Sequence, residues 1–242
     1  MRDVPIGVLL GFCSATLTAV ITEVYAHRGL AHRAFRVQPR FAKLLDGYFR
    51  VIVWTDPESW AAVHRLHHRY ADTPRDPHSP LQRPPAAILL GSPYLFALAR
   101  RDLPPGTDSP PTRTIVVLRL AVPFAWFLVL GLKQVLLMTV VHLVFYLGIM
   151  GLVNTVGHIY GRKPHPDVVG YDAAWLAIPL LGHGYHNSHH AHPAAARTGR
   201  LDSIWPILRL LAAVRLVELG ERPVHRASGA CCQAKASLAG RT

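Results

Sequence analysis

Apolar positions are gathered into long runs, separated by polar stretches rich in histidine and arginine. The first run, "VPIGVLLGFCSATLTAVITEVYA", covers residues 4–26. At about 1.5 Å per helical residue it can cross a hydrocarbon core of about 30 Å. It lacks a long basic start and a clear cleavage site, so it reads as a retained transmembrane helix rather than a signal peptide. Residues 114–132 and 135–156 form two further spans. Arg119 in the former must snorkel toward one end, and Pro123 predicts a kink. Only Lys133 and Gln134 separate the pair, which predicts a tight helical hairpin. "AAILLGSPYLFALA", residues 86–99, is too short to span and carries Gly91 and Pro93 as breaks. It predicts an interfacial segment. The stretches between are polar and helix-compatible, with Pro-rich breaks at 74–85 and 104–111. The expected architecture is all-α: an integral membrane helical bundle of about three transmembrane helices with a helical cap on one side. Residues 1–222 form the expected domain and 223–242 a disordered tail.

Composition supports a lipid setting. Hydrophobic residues make up 50% and charged ones 17%, against about 25% charged in a typical soluble domain. The net charge is +12, with Arg in large excess over Lys, a bias that fits a GC-rich genome. Of the 26 Lys and Arg, 13 lie in residues 27–113 and 10 in residues 158–242. Three crossings place both regions on one side, and the positive-inside rule makes that side cytoplasmic. The expected location is a bacterial inner membrane, with the histidine clusters and C-terminus cytoplasmic. Basic residues between and after apolar runs are unlike the stripes of a nucleic-acid binder. The three cysteines, Cys13, Cys231 and Cys232, form neither a CxxC pair nor a disulfide framework. Cys13 reads as packed within its apolar run.

The histidines carry the chemistry. "HRGLAH" (27–32), "HRLHH" (64–68) and "HNSHH" (186–190) all fall in the cytoplasmic layer. In the second and third, histidines at i, i+3 and i+4 share one helical face within about 100° of arc. Two identical triplets on one side of a membrane point to a metal site. His27 and His32 stand about 140° apart on an ideal α-helix. They reach one site if the helix ends between them, as Gly29 would allow, or if two ions lie in the gap. Asn154 and His158 of "NTVGH" are one turn apart at the cytoplasmic end of the third span, and a polar pair there needs partners. Nine imidazoles exceed what one ion can use, so two ions are implied. With no cysteine cluster or carboxylate pair, thiolate zinc sites and carboxylate-bridged di-iron bundles are excluded. Imidazole suits iron, zinc or copper, so ligand type leaves the metal open.

"ITEVYAHRGLAHRAF", "WAAVHRLHHRYADTPRDPHSP", "NTVGH" and "GYHNSHHAHP" resemble, in order, the motifs of the membrane fatty-acyl desaturase family, over roughly residues 19–215. "DPHSP" and the Asn-plus-His of "NTVGH" distinguish that family from membrane hydroxylases. The resemblance implies a di-iron (Fe²⁺) centre held by His27, His32, His64, His67, His68, His158, His186, His189 and His190, with Asn154 reaching an ion through a water. It implies O₂-dependent removal of two hydrogens from a long acyl chain, CoA- or lipid-linked, to give a cis double bond. Electrons would come from a separate donor, ferredoxin or a b-type cytochrome with its reductase. The family usually has four crossings, two of them before the first cluster; the 26 residues before His27 hold one. His183 stands where many relatives carry a glutamate and is expected behind the ligands.

Glu23 lies four residues before His27 and is expected to orient that imidazole, as Asp72 and Asp76 are expected to do for other ligands. His142 reads as a neutral, hydrogen-bonded histidine of the span. His78 reads as a turn residue or a support to the ligands, His165 and His225 as solvated, His192 as outside the ligand set. Trp54 and Trp60 are expected at the membrane interface. Two rival functions share these features: a di-iron hydroxylase or oxidase of a lipid-like substrate, and a non-catalytic metal-binding membrane protein.

Overall fold

The computed structural model describes residues 5–220. Cys231, Cys232, His225 and the expected tail lie outside the described residues. The chain is mostly helical. Helix α1 (Ile6–Ile21) continues without a break into a π-helical segment, Thr22–Ala31. A two-residue strand β1 (Arg36–Val37) and helix α2 (Pro39–Tyr48) follow, then a second π-helical segment, Phe49–Val53. Next come α3 (Pro57–Tyr70), α4 (Pro85–Ala99) and the long α5 (Arg113–Ile159). The described residues close with a short α6 (His186–Ala191), α7 (Ile204–Ala213) and β2 (Val217–Glu218), which pairs antiparallel with β1.

Among the described residues, two helices are long and apolar enough to cross a membrane: Ile6–Ala31 and Arg113–Ile159. The second has two legs. At Gly131 the backbone takes φ 76° and ψ 163°, a region open essentially to glycine alone. The turn therefore falls at Gly131, not at Lys133 and Gln134 as the hydropathy minimum suggested. Pro123 is accommodated inside the first leg. The second leg runs parallel to α1. Gly7 N–H donates to the Gln134 side chain at 3.0 Å, Ser14 meets His142 at 2.9 Å, and Thr22 meets the Tyr146 hydroxyl at 3.0 Å. Glycines make this approach close: a Cβ on Gly11 would stand 2.6 Å from the Met138 carbonyl oxygen. Cys13 faces outward and is exposed, not packed, because α1 buries the Gly7, Gly11, Ala15, Thr18 and Ala19 side instead.

Helix α4 also departs from expectation. It is continuous through Gly91 and Pro93. Pro93 leaves the Leu89 carbonyl without its helical donor, and Leu89 packs on Gly151 of α5. A second core of Val24, Phe35, Ile204, Leu208 and Val217 anchors α7 and the β1–β2 pair beneath the first π-helical segment.

Candidate metal centre

Each histidine cluster is delivered by a different local device. Helix α3 starts at Asp56, whose carboxylate accepts from the Glu58 N–H, with Pro57 in the first turn, both standard helix-start chemistry. Its regular winding then places His64, His67 and His68 on one side. In α6, Asp172 accepts from the backbone N–H and hydroxyl of Ser188 at 3.0 and 2.5 Å. Asn187, fully buried, donates to the carbonyls of His165, Val168 and Val169 and accepts from the His165 N–H. These bonds lock the loop before α6 and fix His186, His189 and His190. His165 is accordingly half-buried, with its ring 5.2 Å from that of His192, and not solvated as expected.

His27 and His32 are joined by the π-helix. Its hydrogen bonds run from residue i to i+5, and the His32 N–H donates to the His27 carbonyl at 3.1 Å. Residues five apart are then stacked on one face. Gly29 does not end the helix; the wider winding greatly reduces the 140° offset of an ideal α-helix.

The nine histidines converge as two groups. His27, His32, His64, His68 and His189 form one; His67, His158, His186 and His190 form the other. Within each group the ligand-capable atoms lie within 4.8 Å of one another. The rings of His68 and His190 stack at 4.2 Å, so the groups share a wall. Nε2 atoms face inward: His27 to His189 at 3.2 Å, His32 to His64 at 2.9 Å, His189 to His68 at 3.1 Å. In the second group His67 to His190 is 3.3 Å, His190 to His186 is 3.1 Å and His186 to His158 is 2.8 Å. Around an ion with metal–imidazole bonds of about 2.1 Å, adjacent donors stand about 3.0–3.4 Å apart, so the spacing fits a coordination shell.

Proton counting tests the same point. His27 Nδ1 meets Glu23 at 2.7 Å, His67 Nδ1 meets Asp76 at 3.0 Å and His158 Nδ1 meets Asp72 at 3.1 Å. A neutral ring that donates from Nδ1 has a bare lone pair on Nε2. In the chain His67–His190–His186–His158, both ends are then acceptors. His190 and His186 can satisfy the two outer contacts, leaving no proton for the contact between them. Extra protonation is opposed: burial first, then neighbouring imidazole charge, holds His67, His186 and His190 well below the ordinary value. A cation among the Nε2 atoms resolves the conflict.

Behind the first group lies a buried ionic chain. Glu23 Oε1 accepts from Arg28 at 2.6 Å, while Oε2 faces both His27 and His183, the latter at 2.5 Å. Arg28 is held in turn by Asp202 at 2.8 Å. His183 thus serves Glu23 and lies outside both imidazole groups. Behind the second group, burial raises the Asp76 carboxyl to about 6. Asp72 is lowered: burial pushes it up, but the hydrogen bonds from His158 and Ser79 outweigh that. His78 lies against the His67 ring at 4.4 Å, and burial lowers it to about 4. Trp60 stacks on His64, with centroids 5.3 Å apart and planes 13° apart. Its place four residues before His64 on α3 was the overlooked signal. Trp54 is exposed beneath the Arg119 guanidinium. Asp202 and Arg28 are 174 residues apart, which no local pattern links.

A cavity of about 710 Å³ opens on the centre. His27, His64, His183, His186 and Asn154 line one end, and apolar side chains of α4 and α5, among them Phe96, Trp126, Leu143 and Met150, line much of the rest. Residues 4–220 match the fatty acid desaturase family. A probable chloroplast lipid desaturase of Arabidopsis thaliana is 31% identical over 78% of this chain. A delta-9 desaturase-like protein of the same plant is 30% identical over 85%. An acyl-CoA C20 delta-5 desaturase of Anemone leveillei is 28% identical over 78%. The chain spans 56%, 74% and 65% of the lengths of these three relatives.

Proposed function

Because the chain belongs to the fatty acid desaturase family, we propose that it introduces a cis double bond into a long fatty acyl chain, CoA- or lipid-linked, using O₂. The observation that carries this reading is the placement of nine inward-facing imidazoles in two groups at one end of a largely apolar cavity. Two iron ions would be held by those groups, His27, His32, His64, His68 and His189 for one and His67, His158, His186 and His190 for the other. Bound iron would supply the oxidising power that an unactivated methylene requires. The protein's share is positional. Glu23, Asp76 and Asp72 hold the Nδ1 protons of His27, His67 and His158, keeping each Nε2 lone pair inward. Asn154 lines the same cavity as His186 and is suited to hold a water there. The apolar walls exclude bulk water and fix the chain beside the ions, and such fixed geometry is worth several kcal/mol of barrier.

The protein acts as a membrane bundle. None of the most apolar stretch of α5 is buried, and side chains such as Leu120, Phe124, Leu128, Val129 and Val144 are exposed, as a lipid-facing surface would be. Both histidine-bearing regions lie on the Lys- and Arg-rich side, taken as cytoplasmic in a bacterial inner membrane. A separate reductant, ferredoxin or a b-type cytochrome with its reductase, meets that face.

Expression in a desaturase-deficient host tests the reading by mass spectrometry of its lipids. Loss of two hydrogens is expected, together with about two irons per purified chain. Gain of oxygen instead would make the protein a hydroxylase, and iron-free, O₂-inert protein would end the enzymatic reading.

A further inference from the structure

The cavity contains a polar step that an alkyl chain does not need. Ser14 of α1 and His142 of α5 line it and share a hydrogen bond at 2.9 Å. Thr139, three residues before His142 and so on the same side of the helix, lines it too. Met138, Leu143, Leu147 and Met150 line it on the same leg. Ser14 is 13 residues before His27 on one continuous helix, which sets the step about 20 Å from the centre at ~1.5 Å per residue.

The step has unused hydrogen-bonding capacity. Ser14 engages Nδ1 of His142, and Nε2 of that half-buried ring makes no hydrogen bond to protein among the described residues. The Thr139 hydroxyl spends its proton on its own Val135 carbonyl at 2.9 Å, leaving its lone pairs free to accept. A hydrocarbon packed against these groups would strip them of water and return nothing. None of the three is a carboxylate, guanidinium or ammonium, so a neutral oxygen function fits better than an anion.

We propose that Ser14, Thr139 and His142 form a specificity subsite for a neutral oxygen-bearing group, such as a hydroxyl or keto oxygen, on the distal part of the acyl chain. The proposal rests on the acyl-desaturation reading and names a substrate class within it. The bland alternative is a clasp between α1 and α5, since interhelical polar pairs also occur for packing alone.

The test offers the purified, iron-loaded protein two acyl chains of equal length, one plain and one hydroxylated near its methyl end. Retained lipid is measured by mass spectrometry and conversion by loss of two hydrogens. The wild type should favour the hydroxylated chain by about fivefold in both readouts, the scale of one net hydrogen bond. His142→Leu should reverse the order, and Ser14→Ala should weaken it. Equal handling of the two chains by the wild type overturns the proposal, and so does an equal loss on both chains in His142→Leu. If neither chain is desaturated, the catalytic reading fails while the retained-lipid ratio still decides the subsite.

Discussion

At the scale of single residues, three carboxylates do the work that the imidazoles cannot do alone. Each takes the Nδ1 proton of one ring and so fixes which nitrogen faces inward. Losing such a support typically costs about 10–100-fold in metal affinity. Glu23→Gln and Asp76→Asn are each expected to fall in that range, with their effect seen as lower iron per chain in a chelator competition. Glu23→Gln should be the more damaging, because it also leaves the buried Arg28 with one carboxylate partner, Asp202, instead of two. The pH dependence has a definite sign. Burial drives His68 from 6.5 to about 3 and also lowers His64, His67, His186, His189 and His190. Below pH 6.5 the unfolded chain takes up protons that the folded chain refuses, so metal-free stability falls as pH drops through that value. Asp76, raised from 3.8 to about 6, opposes this between those values, but one carboxyl faces six imidazoles. The metal-free protein in detergent should therefore melt at a lower temperature at about pH 5 than at about pH 7.5, as read by thermal scanning.

At the scale of elements, the parts legible in the sequence were those that obey a simple period. The i, i+3, i+4 triplets of α3 and α6 follow from 3.6 residues per turn, and the apolar runs follow from length. Asp72 and Asp76 were legible because they follow α3 closely in sequence. What was not legible breaks the period. The π-helix over Thr22–Ala31 has no signature in an α-helical pattern, yet it makes a five-residue histidine spacing work. The Arg28–Asp202 pair depends on α7 folding back, which local pattern does not encode. Close packing of α5 on α6 depends on Gly157, where a Cβ would sit 2.9 Å from the His186 ring. Since Gly157 neighbours His158 as well, Gly157→Ala should push apart two members of the same imidazole group. Iron content is expected to fall toward one ion per chain, with the five-histidine group keeping its ion. Metal analysis beside a spectroscopic count of iron environments would check this, and full loading of the variant would mean that the two helices can slide apart freely.

At the scale of the whole molecule, the fold solves a problem of orientation. The α1 helix and the second leg of α5 run parallel, so their far ends meet at Gly7 and Gln134 while their near ends carry His27 and His158. If the bundle crosses a bilayer as proposed, that geometry sets the nine clustered imidazoles on one face and the Gly131 turn on the other. The charges agree: Lys133 is the one basic residue near the turn, whereas thirteen lie between His27 and Arg113. The arrangement predicts accessibility directly. In a chain with its native cysteines replaced, Lys133→Cys and Arg75→Cys place thiols at two exposed positions that the proposed topology sets on opposite sides. A membrane-impermeant maleimide applied to intact spheroplasts should label position 133 strongly and position 75 only after lysis. Labelling of both before lysis would mean that α5 does not cross as a hairpin, and labelling of position 75 alone would invert the orientation. The proposed cytoplasmic placement would matter chemically, because soluble reductants and activated acyl groups are found on that side. A reversed topology would leave the imidazole groups intact but cut off from their electrons.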